Sequence, residues 1–175
     1  MALALFEMER MQSTWENLVD YDLSESGVHP VTLRELCAWG VDLDHLLDAP
    51  LGYSQSNGTP ELRSRIASLY PGATPEHVEV TNGTSEANLV IAFALLRPGD
   101  AVAIMVPNYM QLEGIAKGMG ADVLRVPLRP DAGWEPDWEI FTRSVTPKTR
   151  LLYLTNPSNP TGAILKPRPS PHALR

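Results

Sequence analysis

Three short stretches combine residue types that could hold a small, planar, anionic molecule. In "TNGTSEA" (81–87) a glycine and two hydroxyl residues stand where an extended run gives way to a long apolar one. Gly83 allows close backbone approach, Thr84 and Ser85 add donors, and a helix start presents amides and partial positive charge, which together suit a phosphate. The same residues also suit a plain helix start, with Asn82, Thr84 and Ser85 capping it and Glu86 complementing the dipole. In "VPNYM" (106–110) Tyr109 could stack on a planar ligand or be a half-buried core ring. In "TNPSNPTG" (155–162) Asn156 and Asn159 each precede a proline and are biased away from helix. The Asn159 amide could then donate to a phenolate or carboxylate oxygen without bringing charge. Equally, the segment could be a structural bend with a cis X-Pro bond. Neither G-x-G-x-x-G nor G-K-[ST] occurs, so dinucleotide and P-loop readings lose their usual support.

The elements around these stretches alternate. Helical patterns over 59–70, 84–96 and 109–120 are interleaved with β-rich runs at 77–81, 101–106, 121–128 and 150–155, and a Trp-rich loop carries "DWEIFTRSV" at 137–145. Such alternation predicts βαβ units and an α/β fold with a mostly parallel sheet covered by helices. In such sheets ligands lie beyond the carboxyl ends of the strands, and three ligand-competent strand ends favour one common site. The first 50 residues are mixed, with a short helix expected within 6–21 and another over 32–39, where Thr32 and Glu35 form a capping pair. Gly27 and Pro30 mark a turn between them. Residues 1–50 read as an N-terminal segment, 51–165 as the main α/β portion, and 166–175, with Pro167, Pro169 and Pro171, as an irregular tail.

Composition narrows the function classes. The 175 residues are 43% hydrophobic and 20% charged, within the range of a globular domain, and the formal charge of -7 without a Lys/Arg cluster argues against nucleic acid as a partner. Cys37 is the only cysteine, so no intramolecular disulfide or Cys-based zinc site can form and a reducing compartment is expected. No apolar run reaches the ~20 residues of a membrane span, and Glu7 and Glu9 interrupt the stretch a signal peptide would need. A cytoplasmic protein without membrane contact is the expectation.

Taken together, "NPSNPTG" (156–162), "TNGTSEA" (81–87) and "LGYSQSNGTPELRSRIA" (51–67) resemble the class I/II aminotransferases, fold-type-I enzymes that use pyridoxal 5′-phosphate. The resemblance implies that Gly83, Thr84 and Ser85 cradle the cofactor phosphate, that Tyr109 stacks on the pyridine ring, and that Asn159 holds the phenolic oxygen. It implies that Tyr53 reaches the phosphate of a neighbouring subunit, hence a homodimer, and that Gly27 lies near the substrate carboxylate. Amino acids and 2-oxo acids are the implied substrates, and the implied fold is the three-layer large domain of that class.

The family's chemistry also needs a Schiff-base lysine, an acidic partner for the ring nitrogen and an arginine for the substrate carboxylate. The resemblance locates all of them after the N-P-T-G block. Lys117, Lys148 and Lys166 are not in the family's Ser-x-x-Lys setting, and no Asp or Glu follows Glu139. No catalytic residue is therefore assigned. The chain is expected to be the N-terminal portion of an aminotransferase, with an incomplete large domain, little activity and weak cofactor binding alone. Two alternatives remain: a non-catalytic dimerising or binding module, and a lyase or synthase built on the same cradle. An uncovered sheet edge and apolar face also predict low solubility.

Overall fold

The structure, a computed structural model, describes residues 5–166, and the expected irregular tail from Pro167 onward lies outside the described residues. The chain divides into two compact units, one of residues 7–81 and one in which Leu5 and Phe6 join the stretch from Asn82 onward.

The 7–81 unit is built from short helices with strong local signals. Helix α1 spans Glu7–Trp15 and ends well short of residue 21, consistent with its lack of any buried residue to sustain further turns. Helix α2, Leu33–Ala38, starts at the expected capping box: Thr32 accepts from the Glu35 amide, and Glu35 accepts from the Thr32 N–H. A further helix that the pattern reading missed, α3 (Leu43–Leu47), is capped by the Asp42 carboxylate. Helix α4, Pro60–Ala67, has Thr59 as cap and proline at its first position. It ends before residue 70 because i→i+3 bonds from Leu69 and Tyr70 close its last turn.

The strand expected over 77–81 is absent. A 3₁₀ turn occupies Pro75–His77, and the carbonyls of Pro75 and Val78 are taken by the Arg63 guanidinium, at 2.5 and 3.0 Å, instead of by a neighbouring strand. Val80 bonds instead to the Asn57 carbonyl at 3.1 Å. Beside it Gly58 has φ +97°, and a Cβ there would lie 2.4 Å from Val80 Cγ2, so both conformation and space require glycine.

The second unit holds the sheet. Helix α5 (Gly83–Leu95) leads to β1 (Ala101–Val106), followed by α6 (Gln111–Gly118), β2 (Asp122–Arg129), β3 (Glu135–Pro136), α7 (Trp138–Ser144) and β4 (Thr149–Tyr153). The strand order is β3-β2-β1-β4, with β1 parallel to both β2 and β4 and only the two-residue β3 antiparallel. This is the expected mostly parallel α/β arrangement. Strand β1 is buried from Ala101 to Met105, as its uninterrupted apolar sequence requires of a strand covered on both faces. Ala92 and Leu96, from α5 and its end, pack with Val102 and Ile104 of β1 and Leu112 and Ala116 of α6 to form the core. Leu89, Val90, Ile91, Phe93 and Leu95 leave the rest of α5 apolar and exposed.

Candidate active site

Gly83 is the first residue of α5 and has φ +83°, a left-handed conformation that favours glycine. The Asn82 side chain makes no capping bond; instead the Glu86 carboxylate accepts from the Asn82 N–H at 2.5 Å. Capping by Asn82 is therefore not the role of this turn. The exposed Thr84 and Ser85 follow in the first turn of a 13-residue helix, the end at which a helix dipole favours negative charge. The turn does not extend a sheet strand, since 77–81 forms none; two strand ends, not three, converge here.

Those two ends belong to β1 and β4, which are neighbours and parallel, so the segments following them leave the same edge of the sheet. Tyr109 comes three residues after β1 and is half-buried, with the Phe6 ring edge-on at 5.1 Å between centroids. Asn108 Oδ1 accepts from the Tyr109 N–H at 2.7 Å and from the Thr155 hydroxyl at 2.8 Å, which ties the two strand ends together. Pro107, Asn108 and Tyr109 also line a cavity of about 210 Å³ that reaches Arg125.

Beyond β4 the chain makes a self-bonded bend. Ser158 N–H donates to Ala163 O at 2.8 Å, Gly162 N–H to Ser158 O at 2.7 Å, and Leu165 N–H to Asn156 Oδ1 at 3.0 Å. The Val106–Pro107, Asn156–Pro157 and Asn159–Pro160 bonds are cis, and Asn159 is exposed within this fixed bend.

Several residues that tie the site together were not singled out in the sequence. Gln111 Nε2 donates to the Ser85 carbonyl at 3.0 Å, and Gln111 Oε1 accepts from Asn88 Nδ2 at 3.1 Å. Asn88 is buried and also faces the Tyr153 hydroxyl at 3.5 Å. The available signal was one amide residue inside the apolar run "ANLVIAFALL". Glu113, also buried, accepts from Lys117 Nζ at 2.5 Å and Arg125 Nη2 at 2.5 Å. Burial raises its pKa, but the bonds from Arg125 and Lys117 outweigh burial and hold the carboxyl below its usual range.

The lysines lie in other settings. Lys117 is engaged by Glu113, the Lys148 carbonyl accepts from Ala101 N–H at the amino end of β1, and Lys166 is exposed. Tyr53 and Gly27 belong to the 7–81 unit. Tyr53 is fully exposed between α3 and α4, and Gly27 donates its N–H to the Glu25 carboxylate in an exposed turn. Among the described residues no cluster of three or more His, Cys, Asp or Glu side chains could hold a metal, and no helix is long and apolar enough to cross a membrane.

Comparison with known proteins gives the context for this geometry. The sequence pattern of the aminotransferase class I and II family matches residues 48–169. Capreomycidine synthase of Streptomyces vinaceus is 39% identical over 157 residues, covering 84% of this chain and 39% of that protein. Valine–pyruvate aminotransferase of Mycobacterium tuberculosis is 31% identical over 170 residues, covering 94% and 42% respectively. A crystal structure of a PLP-dependent aminotransferase from Streptococcus suis superposes with a TM-score of 0.87 at 34% identity, covering 94% of this chain and 45% of that one. The chain thus spans about two-fifths of the length of the curated relatives it matches. With a family pattern over most of its length, and a sheet and helices that follow a solved aminotransferase, this chain belongs to the class I and II aminotransferases.

Proposed function

We propose that this chain supplies the phosphate-, ring- and oxygen-binding part of a pyridoxal 5′-phosphate site, in a protein that moves an amino group from an amino acid to a 2-oxo acid. The observation that carries the reading is the start of α5, within the stretch that matches the family: a left-handed glycine, no side-chain cap from Asn82, and two exposed hydroxyl residues in the first turn. These features fit a dianion. Gly83, Thr84 and Ser85 would hold the phosphate, Tyr109 would lie on the ring, and Asn159 would donate to the phenolic oxygen. When bound, the cofactor supplies an aldehyde that captures the amino group and a ring that accepts negative charge from the substrate's α-carbon.

The chain's own contribution is binding and orientation. Thr84 and Ser85 donate to phosphate oxygens, Tyr109 fixes the plane of the ring, and a neutral Asn159 amide favours the ionised phenolic oxygen without adding charge. Tyr53, exposed in its own unit, would reach the phosphate of a neighbouring copy in a homodimer, and Gly27 would lie near the substrate carboxylate. No lysine among the described residues is assigned the bond to the cofactor. A cytoplasmic role in amino-acid biosynthesis fits the single cysteine and the substrate class.

Titration of the chain with pyridoxal phosphate, unphosphorylated pyridoxal and inorganic phosphate, followed by equilibrium dialysis, tests the reading. Pyridoxal phosphate is expected to bind more tightly than pyridoxal, with inorganic phosphate competing. Removing either hydroxyl by Thr84→Ala or Ser85→Ala should weaken binding by roughly tenfold, since a hydrogen bond to a charged group contributes about 1.5–3 kcal/mol. Equal binding of pyridoxal and its phosphate would sink the proposal, and a borohydride-reducible adduct on Lys117, Lys148 or Lys166 would overturn the assignment of those lysines.

A second reading keeps the cradle and changes the reaction. One relative, 39% identical over 157 residues, is named a synthase and not an aminotransferase. Amino-group transfer to a 2-oxo acid by the whole protein separates the two readings.

A further inference from the structure

We infer that Gln111 is a positioning residue that couples the first turn of α5 to the first turn of α6, so that the anion-receptive end and the segment carrying Tyr109 move as one body. This rests on the cofactor reading for its functional meaning, but its structural basis is independent. Gln111 is the first residue of α6, two positions after Tyr109. Its amide uses both ends: Nε2 donates to Ser85 O at 3.0 Å, and Oε1 accepts from Asn88 Nδ2 at 3.1 Å. Both partners lie on α5, Ser85 in its first turn and Asn88 in its second, so one planar group spans that helix's first two turns. Asn88 is buried and also faces the Tyr153 hydroxyl at the end of β4, which extends the link to the strand preceding the Asn159 bend.

The geometry explains why an amide is needed. A carboxylate at 111 could accept from Asn88 but not donate to Ser85 O, and an apolar side chain would leave the buried Asn88 amide short of a partner. The link also acts where α5 has no help from an Asn82 cap. Among the described residues, Gln111 supplies the polar contacts that join Ser85 and Asn88 to α6. The first α5 side chain in the buried apolar core is Ala92.

Hydrogen–deuterium exchange on the full chain tests the coupling directly. Gln111→Met is expected to raise exchange about tenfold in 83–88 and in 107–112, with β1 and β2 unchanged. Gln111→Glu, which keeps the acceptor, should raise exchange in 83–88 by a similar factor and serves as the test if the Met variant does not fold. A purely structural loss, mimicked by Leu151→Ala, should raise exchange throughout the sheet. Unchanged exchange in 83–88, or a rise spread evenly over the unit, would overturn the inference. In parallel, inorganic phosphate and pyridoxal phosphate should each bind about tenfold more weakly to Gln111→Met. If the unsubstituted chain binds neither, the cofactor reading fails while the exchange result still decides the coupling.

Discussion

The two units of this chain are held by opposite means. In the 7–81 unit, α2, α3 and α4 each have a well-formed cap, yet Ala67 is the only buried residue among those described. In the unit from Asn82 onward, α5 has no Asn82 cap and α6 no side-chain cap, yet both bury apolar residues against β1. Capping bonds give a helix its ends, whereas burial gives a domain its stability, and one does not substitute for the other. A unit rich in the first and poor in the second presents its apolar side chains for other surfaces to cover.

The contrast can be broken most directly in the core. Ile104→Ala or Leu112→Ala, each at a side chain no more than 1% exposed, is expected to lower stability by about 2–5 kcal/mol in urea unfolding. The exposed Leu47→Ala should change it by no more than about 0.5 kcal/mol. A similar loss at both would end the distinction.

A smaller effect is expected at Glu113. Its folded-state pKa is depressed, so its stabilising contribution is present above the unfolded-state value near 4.5 and is lost as pH falls through the folded value. Unfolding midpoints measured from pH 7 downward should therefore decline below about pH 4.5. Glu113→Gln should flatten that decline and cost about 1–3 kcal/mol at neutral pH. A pH profile unchanged by the substitution would count against the ion cluster.

Capping should matter next. Thr59→Ala is expected to cost about 1 kcal/mol and to speed amide exchange in the first turn of α4, a larger effect than Leu47→Ala in the same unit. Least of all, Glu61→Gln, which removes the exposed Arg65 pair, should leave the unfolding midpoint unchanged at any salt concentration.

What the sequence disclosed follows the same division. The Thr32–Glu35 capping box and the apolar β1 were legible because each is a local pattern with one physical reading. Helix α3 was missed although its Asp42 cap stood in plain view, because five residues with no buried face carry little periodicity. The run 77–81 alternates as a strand should, but a strand also needs a neighbour, and here Arg63 takes the Val78 carbonyl while Val80 N–H goes to the Asn57 carbonyl. For the candidate site, the segments around Gly83, Tyr109 and Asn159 could be named from their turn chemistry. Gln111 could not, since its partners lie 23 and 26 positions away in the sequence and side-chain hydrogen bonds at that separation leave no local pattern.

Helix α5 carries two properties on different parts of one rod: an anion-receptive end and an apolar flank running from Leu89 to Leu95. They call for different conditions at the bench. A mild non-ionic detergent should wet the flank and keep copies apart while leaving the helix end open to phosphate, whereas raised salt should do the reverse, screening the anion and driving the flanks together. Binding measured in high-salt buffer would then report the clumping of one surface as the silence of the other.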